Sequence, residues 1–196
     1  MIKNIVLVCA SSIAAVCCAS EEKRILPVYK EEILSVVNQR RAQEDFACIE
    51  KLDEGLWCAV YDGHGGPFAA SFLQQNLHSY FSASKKTDMR EKMIDAFKTC
   101  DEKMIQHFQH EDTTDGMSCH GYCGSTAVVA FIQDNLIHFA HTGDSRGILV
   151  QDGKVVFATT DHKVDNPNEL IRMQLAGAHP YITGINKDTL KEKLMT

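Results

Sequence analysis

Apolar and polar positions change their spacing several times along the chain, and each change marks an element. The runs Phe46 to Leu52 and Leu56 to Tyr61 are joined by Asp53-Glu54-Gly55, which predicts a hairpin of two antiparallel strands. From Phe68 the spacing becomes three to four. Phe68, Phe72, Leu73, Leu77, Tyr80 and Phe81 predict an amphipathic helix, and Met93, Phe97, Cys100, Met104 and Phe108 predict a second. Glu111 to Cys123 is polar and glycine-bearing and reads as a loop. Strand-like runs resume at Thr126 to Ile132, Leu136 to His141, Gly147 to Gln151 and Lys154 to Thr159, separated by turn residues. Strands joined by connections this short must be antiparallel. Asn166 to Ala176 is a last helix-sized stretch, opened by Asn166-Pro167. Segment 27–43, with Val28, Ile33, Leu34, Val36 and Val37, fits helix or strand in its first part. Strands, two helices and more strands, in that order, define an α+β class: antiparallel sheets with helices packed outside.

The first twenty residues differ from the rest. Lys3 precedes an uncharged, weakly apolar stretch, Ile5 to Ala19, that ends in small residues before Glu21-Glu22-Lys23-Arg24. This form matches a secretory signal, so residues 1–20 are expected to be a signal peptide or an N-terminal extension, and 21–196 one domain. A buried strand is the alternative use of the same stretch. It is short for a spanning helix and carries Ser11 and Ser12, so no integral membrane span is expected after signal removal. Export and a cytoplasmic location both stay open.

Composition narrows the partners. With 26 acidic against 20 basic residues, a net charge of -6 and no block of Lys and Arg, nucleic acid is not expected as the main partner. Of 8 cysteines, Cys9, Cys17 and Cys18 fall in the first stretch, and the rest are too unevenly spaced for a disulfide framework. His107, His110, Cys119 and Cys123 follow no common zinc spacing.

The candidate chemistry begins where the run Leu56 to Tyr61 stops at Asp62-Gly63-His64-Gly65-Gly66. Asp62 can ligate a metal, His64 can pass a proton near neutral pH, and glycines let main-chain carbonyls approach an ion closely. An ordinary Asp-Gly turn with a surface histidine is the alternative. The expected hairpin would bring Glu44 and Asp45, at the start of one strand, beside Asp62 at the end of the other. Carboxylates gathered there repel unless a cation or proton intervenes, which predicts a hard metal with oxygen ligands; a solvated acidic strand end is the other reading.

Arg40-x-x-x-Glu44-Asp45, Val60-Tyr61-Asp62-Gly63-His64-Gly65-Gly66, Gly124-Ser125-Thr126-Ala127, Gly143-Asp144-Ser145-Arg146, Asp161-His162-Lys163 and Glu169 through Gly177 occur in one order. The series resembles the metal-dependent protein serine/threonine phosphatases of the PPM or PP2C type. The resemblance implies a sandwich of two antiparallel β-sheets flanked by α-helices, incomplete at the C-terminus, with a two-metal Mg²⁺ or Mn²⁺ site. It implies that Asp62 bridges the metals, that Glu44 and the Gly63 carbonyl complete one of them, and that Asp45 holds metal-bound water. Arg40 would bind the substrate phosphate, His64 would act as general acid, and Asp144 matches a weaker third metal position. Phosphoserine and phosphothreonine proteins are the implied partners. Two further aspartates of the family, one in an Asp-Gly turn and one in an Asp-Asn pair, have no match before Thr196. Half of the metal site is therefore expected to be missing from this chain. That leaves two functions open: a phosphatase, or a catalytically impaired phosphatase-like module that binds phosphopeptides or a protein partner.

Overall fold

A computed structural model describes residues 4–8, 13–20, 28–35, 43–115, 122–134 and 136–178. The chain divides into two compact units, Met1–Thr160 and Asp161–Thr196.

In the first unit the strands run β1 (Asn4–Val8), β2 (Ile13–Ser20), β3 (Val28–Ser35), β4 (Phe46–Leu52), β5 (Gly55–Tyr61) and β6 (Gly63–His64). Helices α1 (Phe68–Ala83) and α2 (Met89–Asp115) follow, and then β7 (Gly124–Ser125), β8 (Ala127–Gln133), β9 (Leu136–Thr142), β10 (Arg146–Gln151) and β11 (Lys154–Ala158). They form a five-stranded sheet in the order β11-β10-β1-β2-β3, a four-stranded sheet β4-β5-β8-β9 and the short pair β6-β7. Every pairing is antiparallel. The two large sheets pack on each other, and α1 lies on the opposite face of the four-stranded one. This is the expected sandwich with helices outside.

The burial of β5 and β8 explains the layering. Leu56 to Tyr61 is buried without a break, as is Ala127 to Ile132. A strand covered on both faces needs apolar side chains at every position. Trp57, Ala59 and Tyr61, with Val129 and Phe131 of β8, meet Leu73, Leu77 and Phe81 of α1 and Met93 and Cys100 of α2. Leu56, Cys58 and Val60, with Val128, Ala130 and Ile132, meet Leu149 of the five-stranded sheet. The ring centroids of Trp57 and Phe81 are 5.1 Å apart, and those of Phe81 and Phe131 4.7 Å. Gln74 of α1 donates from Nε2 to the Ala47 carbonyl at 2.8 Å, tying the helix to edge strand β4. At the other end of the hairpin, the buried Lys92 ammonium meets both Glu54 oxygens at 2.6 and 2.7 Å and lies 4.5 Å from the Phe81 ring centre.

The structure bears on four points that the hydrophobic pattern left open or read otherwise. First, segment 27–43, open to helix or strand, contributes strand β3 at Val28–Ser35. Second, Ile5 to Ala19 supplies much of β1 and β2, paired with β10 and β3, so the reading of a signal peptide gains no support. An uncharged, weakly apolar run suits a leader and a sheet equally. Third, α2 continues to Asp115, although Glu111 onward reads as loop. No Gly or Pro interrupts the sequence before Gly116, so nothing forces an earlier stop once the apolar stripe has ended. Fourth, β9 and β10 are joined by only Gly143, Asp144 and Ser145, yet lie in different sheets. Gly143 has φ +92°, and a Cβ there would lie 2.7 Å from Thr126 Cγ2. The corner is therefore folded tightly over Thr126 and sends the chain across the sandwich instead of back along β9.

In the second unit, Asn166 caps α3 (Pro167–Leu175) by accepting from the Asn168 N–H at 3.1 Å, with Pro167 in the first turn. Gly177, at φ +81°, closes it: the Ala178 N–H reaches the Met173 carbonyl and the Gly177 N–H that of Gln174. Arg172 grips both Glu169 oxygens, at 2.8 and 2.6 Å, which holds the Glu169 carboxyl below its ordinary range.

The cysteines of the first core belong to packing. Burial pushes the Cys48 thiol up to about 11 and that of Cys100 up to about 12. At pH 8 both are protonated, and the thiolate is the reactive form. Alkylation at that pH, followed by peptide mass analysis, is expected to leave Cys48 and Cys100 unmodified in native protein and to label both in denaturant. Labelling at similar rates in both states would contradict their burial.

Candidate active site

The hairpin register brings the sequence-predicted carboxylates together. Phe46 pairs with Tyr61, so the residues just beyond the ladder are Glu44 and Asp45 on one strand and Asp62 and Gly63 on the other. The approach is close: a Cβ on Gly63 would lie 2.3 Å from the Glu44 carbonyl oxygen and 3.1 Å from Ala70 Cβ of α1. Gly63→Ala is accordingly expected to part β5 from residue 44 and to lower the midpoint of thermal unfolding followed by circular dichroism. An unchanged midpoint would show that this junction is looser than described. Asp45 is 4% exposed. A carboxylate so buried is held by ionic or hydrogen-bonding partners rather than by water.

Asp62 is fixed from a third direction. Its N–H donates to Thr126 Oγ1 at 3.2 Å, and its carbonyl accepts from the Thr126 N–H at 2.9 Å. Thr126 Oγ1 lies 2.5 Å from Ser145 Oγ, and Ser145 is fully buried. The Gly143–Ser145 corner thereby carries Asp144 to the same end of the sandwich. Thr126 and Ser145 are supporting residues that sequence reasoning did not single out. Their signal was a hydroxyl inside each of two recognised motifs, Gly124-Ser125-Thr126-Ala127 and Gly143-Asp144-Ser145-Arg146.

His64 is exposed and is the second residue of β6, whose register with β7 sets Gly63 opposite Ser125 and His64 opposite Gly124. Gly65, at φ +72°, presses its main chain on Tyr122, where a Cβ would lie 2.4 Å from the carbonyl oxygen. The glycine turn then leads into α1 through Pro67, whose carbonyl accepts from the Ser71 N–H at 2.9 Å. Glu44, Asp45, Asp62, Gly63, His64 and Asp144 are therefore gathered at one end of the fold. Arg40 lies outside the described residues.

Among the described residues no three His, Cys, Asp or Glu side chains close into a metal-holding group. The donors here are carboxylates and a main-chain carbonyl. That chemistry fits a hard cation that keeps several waters and takes one or two carboxylates from the protein, and it does not fit an all-protein cage.

The chain matches the family described as Protein phosphatase 2C over residues 31–187. It is 33% identical over 161 residues to Protein phosphatase 1E of Mus musculus, a match covering 76% of this chain and 20% of that protein. It is 30% identical over 193 residues to Probable protein phosphatase 2C 78 of Arabidopsis thaliana, covering 89% of this chain and 46% of that one. Among solved structures, a C. elegans sex determining protein aligns with TM-score 0.64 at 24% identity, over 76% of this chain and 38% of that chain. Serine-threonine phosphatase 2C from Toxoplasma gondii aligns with TM-score 0.58 at 18% identity, over 93% and 61%. The chain belongs to the protein phosphatase 2C family, which is metal-dependent. It spans less than half the length of the two relatives compared by sequence.

Proposed function

We propose that this chain carries the hydrolytic site of a protein serine/threonine phosphatase that removes phosphate from phosphoserine and phosphothreonine side chains. The observation that carries the reading is the meeting of Glu44, Asp45, Asp62 and Gly63 at the end of the β4–β5 ladder. Asp62, Glu44 and the Gly63 carbonyl would hold Mg²⁺ or Mn²⁺, with Asp144 serving a weaker position. When bound, such ions neutralise phosphoryl oxygens and make water nucleophilic at neutral pH.

The residues of the chain divide the remaining work. Arg40 would grip the phosphate with its planar fork of donors. His64 would donate its ring proton to the serine or threonine oxygen as the P–O ester bond breaks, while an oxygen from water replaces it on phosphorus. The buried Asp45 carboxyl would orient that water. No protein nucleophile is needed. The test is phosphate release from a phosphoserine peptide by the purified chain with Mn²⁺ or Mg²⁺. Release that a chelator stops supports the proposal, and identical background rates with and without metal overturn it.

A further inference from the structure

We propose that Gly124 is the seat of the His64 imidazole, a positioning residue that sets where the ring's Nε2 lies; the inference rests on the reading of His64 as proton donor. A Cβ built on Gly124 would lie 2.5 Å from His64 Nε2, 2.7 Å from Cε1 and 3.5 Å from Cδ2. All three nearest atoms thus belong to the His64 ring. Real Cβ atoms do not approach other heavy atoms so closely, so the ring lies across β7 only because residue 124 has no side chain.

Backbone conformation does not explain the glycine. Gly65, Gly66 and Gly143 occupy positive φ, whereas Gly124 does not, and alanine could adopt its main-chain geometry. The other close glycines also behave differently. At Gly63 and Gly65 an added methyl would strike main-chain carbonyls, of Glu44 and Tyr122, which can move only if the fold moves. At Gly124 it would strike the far end of an exposed side chain, which can swing away. Gly124→Ala should therefore fold normally and place its whole effect on the ring.

The part displaced first is the Nε2 edge, one of the two nitrogens through which imidazole passes a proton. The β6–β7 ladder fixes the His64 main chain opposite Gly124, and the seat then limits where an otherwise free, solvent-facing ring can lie. Misplacement of a reacting group by about 1 Å can cost roughly a hundredfold in rate.

Two measurements decide the proposal. In the metal-loaded chain, Gly124→Ala is expected to lower kcat by about ten- to a hundredfold on a phosphoserine peptide, whose alkoxide leaving group needs a proton, with KM unchanged. Its effect on p-nitrophenyl phosphate, whose phenolate departs without one, is expected to be small. In a His64→Ala background the same substitution should cost nothing further. Equal losses on both substrates would overturn the seat. Independently of turnover, NMR cross-peaks between the His64 Cε1 proton and the Gly124 α-protons should be present in the wild-type chain, and their absence also overturns it. If wild type shows cross-peaks but no metal-dependent hydrolysis, the phosphatase reading fails while the seat stands.

Discussion

Asp62→Asn is expected to abolish metal-dependent hydrolysis while leaving the fold intact. The substitution keeps the shape of the side chain and leaves the main-chain bond from Thr126 N–H to the residue 62 carbonyl untouched. On the proposed reading it removes a negative charge that would hold a hard cation. A bound metal supplies several kcal/mol of charge stabilisation in such reactions, and about 1.4 kcal/mol corresponds to tenfold in rate. Phosphate release from a phosphoserine peptide should consequently fall by about a thousandfold. Mn²⁺ titration followed by electron paramagnetic resonance gives a readout apart from turnover: the variant should leave more free Mn²⁺ in solution than wild type at equal concentrations. Matching rates and matching Mn²⁺ binding in the two proteins would remove Asp62 from the site.

Trp57→Ala should have the largest effect on stability. Trp57 is 0% exposed and packs between the hairpin sheet and α1, with its ring near both Phe81 and Phe131. Truncating a buried tryptophan costs about 3–5 kcal/mol, part from lost transfer of apolar surface out of water and part from the cavity left behind. Against a typical total of about 5–15 kcal/mol, that is a large fraction. The chain has 1 tryptophan, so its fluorescence disappears with the substitution and unfolding must be followed by far-UV circular dichroism in urea. A loss under about 1 kcal/mol would mean that helix and sheet are not packed on this residue.

The β4–β5 hairpin could be read from sequence because its two runs and their short connection allow little else; the observed register places Glu44, Asp45 and Asp62 where that reading expected them. Helices α1 and α2 were legible through their apolar stripes, which meet the sheet. What escaped was set by tertiary context. Two-residue strands such as β6 and β7 have no period to detect, so the ladder that sets His64 opposite Gly124 left no trace in the hydrophobic pattern. Connection length alone could not tell a hairpin from a corner, and Gly143 makes the second. The first stretch stayed open in the sequence because a leader and a pair of strands ask for the same side chains. Thr126 and Ser145 escaped because hydroxyl residues in a glycine-rich motif look like turn formers until the hydrogen bonds show that Thr126 holds Asp62 and Ser145 holds Thr126.

The corner at Gly143 also makes the position of Asp144 depend on both layers at once. Asp144 is carried between the last residue of one sheet and the first of the other, while Ser145 beside it is latched to Thr126 under Asp62. Sliding of the layers by even a fraction of an ångström would alter the spacing of Asp144 and Asp62 before it disturbed the hairpin carboxylates. The separation of these two aspartates would then report on shear within the sandwich, to which Glu44 and Asp45 in the hairpin would remain indifferent.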